Sequence, residues 1–466
     1  TAVPNPIFSL VARPSCTGYE RIAAAAPSLL ASRPGHRQYR GQIRDLGRMD
    51  RELLERLFRR AVDAAQPQHA IAANLPGPPK GRTIVIGAGK ASAQMARAFE
   101  AAWPGAIDSG LVVTRYGYGV PCERIEIVEA AHPVPDMAAY LAARRLMEKV
   151  SGLGHDDLVV ALISGGGSAL LPQPAAGLAF EDEQAVNEIL LASGAPISVM
   201  NVIRNELSAI KGGRLAALAA PARVATLIVS DIPGDDPSLV ASGPTVPLAP
   251  GRAEARHLAA LYRLKLPAAA EDLLASEQNP APKAGDPRFA HNSVRIIASA
   301  ALSLEAAAAE ARQAGLEAHI LSDAIEGEAR DVASVHAALA REISTRNRPF
   351  GKPALLLSGG ETTVTIRGGG RGGRNAEFLL AFALAIDGIE GITALAADTD
   401  GIDGAGDNAG AICDGHTAAR MRAAGIDPRR ALADNDAYNA FRAVGGLLLT
   451  GPTGTNVNDF RAIIVR

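Results

Sequence analysis

Aromatic residues are scarce: they make up 4% of the 466-residue chain, with a single tryptophan. Any core must therefore rest on Ala, Leu, Val and Ile. Cysteine is scarcer still. Cys16, Cys122 and Cys413 are odd in number and far apart, so no disulfide framework and no cysteine-based metal site is readable; they read as idle thiols in a reducing compartment. No apolar run approaches the roughly 18 residues that a membrane span needs, and stretches such as Val224–Val229 and Leu355–Leu357 are strand-length. Nor is one sign of charge in excess. The formal net charge is −2, whereas a domain that holds nucleic acid backbone is normally clearly basic. Nucleic acid and membrane are set aside as partners on these grounds, and a cytoplasmic location is expected. What is present is an ordinary globular balance of 48% hydrophobic and 21% charged residues. At roughly 150 residues per domain, the length allows two or three domains.

Thr1–Arg48 differs from the rest. It carries Arg13, Arg21, Arg33, Arg37, Arg40, Arg44 and Arg48 against Glu20 and Asp45. That is the composition of a mitochondrial presequence, but a leader unrelated to the fold is the plainer reading, because Met49 directly precedes a clean helical pattern. Residues 1–48 are expected to be poorly structured. From Asp50, a helix N-cap candidate, Leu53, Leu54, Leu57, Phe58, Ala61 and Ala65 recur at helical spacing. Short apolar strands then alternate with helices of ten residues or more, including one helix through Val199–Ala219. This predicts α/β architecture with mainly parallel sheets. Proline-rich stretches at Pro244–Gly251 and Asn279–Arg288 read as a connection, and a second α/β pattern opens at Val294–Ala298. The expected domains are 49–285, Rossmann-like and larger, and 286–466, with a cleft between them.

In open α/β sheets, ligands sit beyond the carboxyl ends of strands, and three glycine-rich loops fall there. Gly87-Ala88-Gly89-Lys90-Ala91-Ser92 places a lysine at a helix N-terminus, where free N–H groups favour anions. It lacks the Walker pattern and carries Ser92 where the dinucleotide fingerprint has its third glycine. Ser164-Gly165-Gly166-Gly167-Ser168 has more glycines than a plain turn needs and suits a nest of N–H groups around phosphate. Ser358-Gly359-Gly360-Glu361-Thr362 is followed by Gly368–Asn375 with Arg371 and Arg374, whose forks match phosphate or carboxylate. An acidic cluster, Asp398, Asp400, Asp403 and Asp407, and the strand-end Asp231 are candidates for Mg²⁺ beside a nucleotide. Solvated Asp-Gly turns are the alternative. His132-Pro133 reads as a structural turn, with no second histidine spaced for a metal.

Taken in order, these loops resemble the type II (MOFRL) glycerate 2-kinases, a family also labelled hydroxypyruvate reductases. The resemblance rests on Leu162–Leu171, Leu207–Gly213, Ser230-Asp231, Ala241–Thr245, Ser358–Thr362, Gly372–Asn375, Asp398–Gly404 and Thr450–Asp459. It spans about Asp50 to Arg466. It implies transfer of the γ-phosphoryl group of ATP to the 2-hydroxyl of D-glycerate, with Mg²⁺, in the cleft. Lys90 and Arg374 fall on its active-site cations, with Asp231 as a further catalytic residue. The resemblance implies phosphate binding by Gly87, Gly89, Ser164, Gly165, Gly166, Gly167, Ser168, Gly359, Gly360, Glu361 and Asn375. It implies substrate binding by Arg204 and Lys211, and metal binding by Asp398, Asp400 and Asp403. A homodimer is left open. The chain departs from the family pattern at Ala376 and Ala131, neither of which removes a charge. Two rivals remain: an NAD(P)H-dependent hydroxypyruvate reductase and a non-catalytic sugar-phosphate-binding module. Against the first, no acidic residue closes Leu111–Thr114, where Arg115 and Tyr116 follow.

Overall fold

The computed structural model describes the backbone of residues 34–248, 251–278 and 280–466, with side chains from Gly47 onward except that of Pro233. Residues 1–33, most of the expected leader, lie outside the described residues, as do Pro250 and Asn279 of the expected connection.

A six-stranded sheet is built from β1 (Thr83–Ala88), β2 (Ser109–Arg115), β3 (Glu126–Ala130), β4 (Leu158–Ser164), β5 (Arg223–Val229) and β6 (Ser293–Ala298), in the order β3-β2-β1-β4-β5-β6. Every pairing is parallel. β1 and β4 are buried along their whole length, because apolar clusters cover both faces. That explains why these strands read as continuous apolar runs. The direction of strand succession reverses between β1 and β4, which opens a crevice at their carboxyl ends.

The second sheet comprises β7 (Glu317–Ser322), β8 (Ala354–Gly360), β9 (Ile392–Asp398), β10 (Gly410–Asp414), β11 (Leu447–Leu448) and β12 (Asp459–Val465), ordered β11-β10-β9-β12-β8-β7. It corrects the expectation of parallel strands. Within this sheet β7 pairs parallel with β8, and the other pairings are antiparallel. The reason is connectivity: β9 returns into β10 through a loop with no crossover helix, and parallel pairing needs such a crossover. β12 then inserts between β8 and β9.

Two segments cross the expected boundary near residue 285. Ser293–Ala298 completes the first sheet by pairing with β5, so it does not open the second. Helix α1 (Pro34–Ala64) begins well before Met49. Its Leu53, Leu54, Leu57, Phe58 and Ala61 pack on the second sheet, with Phe58 edge-on to Phe460 at 5.8 Å. Asp50 lies inside this helix and is not its N-cap; its carboxylate accepts from Arg466 at 2.6 Å. The expected Val199–Ala219 helix is two, Ile197–Glu206 and Arg214–Ala219. Between the two proline-rich stretches lie helices Arg252–Leu261 and Ala268–Ala275, which pack with Phe180–Ala192 and Ile197–Glu206 through Val186, Leu190, Ile203, Ala255 and Leu274. Among the described residues no helix is long and apolar enough to cross a membrane.

Candidate active site

The crevice at the β1–β4 switch brings the first two glycine loops together. The Ser164 hydroxyl accepts the N–H of Ala91 at 3.0 Å and lies 3.1 Å from the Ser92 hydroxyl, while the N–H of Lys90 donates to Gly165 O at 2.9 Å. Gly89, at φ +140°, lies so close to this strand end that a Cβ would fall 2.1 Å from Ser164 Oγ. Ser164 and Ser92 are both buried. They weld the loops and line neither of the two cavities beside Lys90.

Lys90 stands between two cavities and lines both. Among the described residues its ammonium has no ion-pair partner. The first cavity, about 410 Å³, is lined by Lys90, His132, Gly165, Gly166, Ser168, Asn187, Asn201, Arg204 and Asp231 from the first lobe and by Glu326 and Glu361 from the second. Asp231, at the end of β5, sits where a Cβ on Gly165 would come within 1.6 Å of its carboxylate, so glycine alone fits there. Burial pushes the Asp231 carboxyl up, Lys90 opposes this and Glu361 adds to it. Arg204 donates through Nε to Asn187 Oδ1 at 2.8 Å, and its two terminal nitrogens have no protein partner among the described residues. Burial draws its guanidinium below its ordinary value, opposed by Glu183. His132, expected to be structural, lines this cavity. Burial, with Lys90 and Arg115 nearby, lowers it to about 4, so it is neutral at pH 7.

The second cavity, about 320 Å³, is lined by Lys90, Ala91, Gln94, Arg115, Tyr118, Val120, Asp400, Ile402, Pro452, Thr455 and Asn456, again from both lobes. The lobes are joined beside it. Asn458 Nδ2 donates to Asp231 O at 2.6 Å, Thr455 Oγ1 to Ala65 O at 2.8 Å, and Val457 is buried in the first lobe's core.

Arg374 opens the helix Arg374–Ala385 and is held by three carboxylates: Asp459 at 2.6 Å, Asp398 at 2.7 Å and Glu361 at 2.7 Å. Burial alone would lower its guanidinium, but Asp459, Asp398 and Glu361 together hold it above its ordinary value. It lines a cleft of about 470 Å³ with Arg371, Gly372, Gly373 and Asp398. Glu361 links Arg374 to the first cavity, since it lines that cavity and is half exposed.

Several expected ligand groups have other duties. Lys211 is buried and paired with Glu183 at 2.8 Å, with Leu171 O at 3.1 Å. Gly212 and Gly213, both at positive φ, break the expected helix there, and Lys211 lines neither cavity. Gly87 lies within β1. Gly167 is buried and does not line either cavity. Gly359 and Gly360 lie at the end of β8, covered by the chain at Ile325, whose N–H donates to Gly359 O at 3.1 Å. Asn375 is buried and donates to Asp459 Oδ1 at 2.8 Å. Asp403 caps the helix Arg374–Ala385 through the N–H groups of Asn375 at 3.0 Å and Ala376 at 2.8 Å. Burial raises it to about 6, opposed by those two N–H groups. The burial of Asp398 pushes its carboxyl well up, with Arg374 opposing. The three aspartates therefore do not form a metal triad, and no group of three His, Cys, Asp or Glu among the described residues is placed to hold a metal. Asp400 alone of the three faces a cavity unpaired by arginine.

Asp459 was legible only as part of the closing signature, and Gln94, Arg115 and Tyr118 carried no spacing signal at all. The topology makes them neighbours of Lys90.

Comparison with known proteins gives the family. Residues 53–275 match a family model described as a domain of unknown function, DUF4147, and residues 354–459 match the MOFRL family. A D-glycerate 2-kinase of Thermotoga maritima is 38% identical over 410 residues, 88% of this chain and 97% of that protein. The chain belongs to the MOFRL-type glycerate kinase family. The crystal structure of a glycerate kinase from Thermotoga maritima superposes with a TM-score of 0.82 at 37% identity, covering 89% of this chain and 99% of the other. Within the family, a protein of Agrobacterium vitis named as a hydroxypyruvate reductase is 53% identical over 417 residues, 89% of this chain and 94% of that protein. Of the departures from the family pattern, Ala376 is buried in the second lobe's core, and the backbone of Ala131 bonds the Asp136 carboxylate.

Proposed function

We propose that the protein transfers the γ-phosphoryl group of ATP to D-glycerate, giving 2-phosphoglycerate and ADP. One observation carries this reading: two cavities, each lined by both lobes, meet at Lys90. A donor in one and an acceptor in the other would bring their reacting ends to the same ammonium. Phosphoryl transfer depends chiefly on positioning and charge neutralisation, and a lysine with no ion-pair partner among the described residues, at the junction of the cavities, suits the latter.

In the first cavity, which takes the acceptor, the free terminal nitrogens of Arg204 suit the glycerate carboxylate in bidentate fashion. Asp231, whose affinity for a proton is raised by burial, accepts the proton of the attacking hydroxyl. The new bond joins that oxygen to the γ-phosphorus as the bond to the β-phosphate oxygen breaks. Lys90 offsets the charge on the phosphoryl group in flight. Arg374, tied to Glu361, approaches from the opposite lobe. The aspartates do not build a metal cage by themselves, but Mg²⁺ needs only one or two carboxylates when it arrives with nucleotide phosphates. Asp400 is placed to be one of them, and the ion would neutralise phosphate charge.

The decisive assay measures ADP release with ATP, D-glycerate and Mg²⁺, reading the phosphate position by phosphorus NMR. ADP that appears without glycerate, or a 3-phosphate product, overturns the corresponding part. The name carried by the Agrobacterium vitis relative, together with the Rossmann strand order, supports hydroxypyruvate reduction as the second reading. Rapid NADH or NADPH oxidation by hydroxypyruvate in the absence of ATP would establish it instead.

A further inference from the structure

We propose that the cavity between Gln94, Arg115 and Tyr118 on one lobe and Ile402 and Pro452 on the other takes the adenine nucleoside of the phosphoryl donor, and that Gln94 selects adenine over 6-oxopurines. The proposal rests on the kinase reading above and assigns its two cavities.

Three independent observations converge on this cavity. The first is position. It lies over the carboxyl ends of β1 and β2, lined by the turn after β1, the helix Ser92–Ala102 and the segment from Arg115 to Val120. Strand ends beside the switch point of a doubly wound sheet are where nucleosides rest. The second is the wall chemistry. The Arg115 guanidinium stacks over the Tyr118 ring, 3.6 Å from its centroid, and Ile402 and Pro452 face it from the other lobe. An aromatic ring with a stacked guanidinium offers a flat, polarisable surface that suits a purine face.

The third is unsatisfied polarity. Gln94 Oε1 and Arg115 Nε are buried and have no hydrogen-bond partner among the described residues. A buried polar atom left unpaired costs free energy, so such atoms point to a missing partner. A glutamine amide meets adenine in bidentate fashion, its oxygen accepting from the 6-amino group and its nitrogen donating to N7. A 6-oxopurine places an acceptor opposite the amide oxygen, which leaves that oxygen unpaired. The other cavity has a different character: its floor is the Gly165–Gly166 turn and its free cation is Arg204, which suits a small hydroxy-acid. With the base beside Gln94, the phosphate chain runs toward Lys90, where the cavities join.

The test compares nucleotides on the full-length protein. Binding of ADP and IDP is measured by calorimetry without glycerate, and KM for ATP, ITP and D-glycerate is measured at saturating co-substrate. Wild type is expected to favour the adenine nucleotide by at least tenfold in both assays. Gln94→Leu is expected to bring that ratio near one, and Tyr118→Ala to weaken ADP and IDP alike by tenfold or more. Both variants should leave KM for D-glycerate within twofold. Equal binding of ADP and IDP by wild type, or preserved discrimination in Gln94→Leu, overturns the assignment. So does a raised glycerate KM with unchanged nucleotide binding, which would make this the acceptor cavity. Absence of any glycerate phosphorylation defeats the kinase reading alone, because the calorimetric comparison does not depend on turnover.

Discussion

Replacing Arg374 with Met separates the two roles that the structure gives this residue. The side chain neutralises Asp459, which is fully buried, and Asp398, which is 8% exposed, while Glu361 is 53% exposed. Removing one partner of a buried ion pair costs about 3–5 kcal/mol, whereas an exposed pair contributes under about 1 kcal/mol. Arg374→Met should therefore lower unfolding stability by about 3–5 kcal/mol, most of it from Asp398, because Asp459 keeps the buried Arg461 as a partner. Against a typical total of about 5–15 kcal/mol, the variant still folds. The loss should also depend on pH. With the arginine gone, Asp398 relieves its burial by taking up a proton, while Asp459 stays paired with Arg461, so the deficit should be larger at pH 8 than at pH 6. Glu361→Gln serves as the reference, since it releases only the exposed arm and should change stability by less than about 1 kcal/mol. Urea unfolding followed by circular dichroism measures these differences. In the same preparations, Arg374→Met should lower kcat/KM for glycerate phosphorylation by at least about a hundredfold, or about 2.7 kcal/mol. An unchanged urea midpoint refutes the carboxylate clamp. Near-normal turnover in the folded variant removes Arg374 from the chemistry and leaves it as a structural residue.

Lys90→Ala should cut kcat/KM by about a hundredfold or more with little change in urea midpoint, because the ammonium has no ion-pair partner to strand; a stability loss as large as that of Arg374→Met contradicts this. Lys211→Met should do the reverse, destabilising the fold by about 3–5 kcal/mol by stranding the buried Glu183 while KM for glycerate stays within twofold; a selective rise in that KM would return Lys211 to the substrate site. Gly165→Ala should abolish turnover without unfolding the chain, since a Cβ there would lie 1.6 Å from the Asp231 carboxylate and force that side chain to move; full activity would mean that the position of Asp231 is immaterial. Asp403 holds its proton up to about pH 6 in the folded chain and releases it near 3.9 when unfolded. Its folded pKa is raised, so the stability it contributes is complete below about pH 4 and declines as pH rises through 6, by about 3 kcal/mol in all. Asp403→Asn should flatten this stretch of the stability–pH curve, and an unaltered slope would assign the pH dependence to another group.

Local pattern carried most of the first lobe. Strands covered on both faces must be apolar throughout, so β1, β4 and β5 stood out, and helices with one buried stripe showed the 3.6-residue period. Asp136 caps the helix Met137–Val150, accepting from Ala139 N–H at 3.0 Å, with bounds that match the periodicity. Glycines mark close backbone approach irrespective of which lobe they approach. The loops bearing Lys90, Gly165 and Arg374 were accordingly visible, as was their order along the chain.

What local pattern could not carry is anything decided by partners distant in sequence. A carboxylate reads the same whether it holds a metal, pairs with arginine or caps a helix. Asp398 and Asp403 became a clamp and a cap only when β9 was laid beside β12 and the helix Arg374–Ala385 was placed at their ends. Lys211 looked like a substrate cation until the break at Gly212–Gly213 turned it toward Glu183. Strand direction in the second sheet followed from which loops cross over, and the apolar face of α1 is equally compatible with either lobe. The sequence by itself determined the elements and the glycine turns, because those depend on residues within a few positions of one another. The tertiary structure decided which charges meet, and so left Lys90 unpaired at the junction of two cavities.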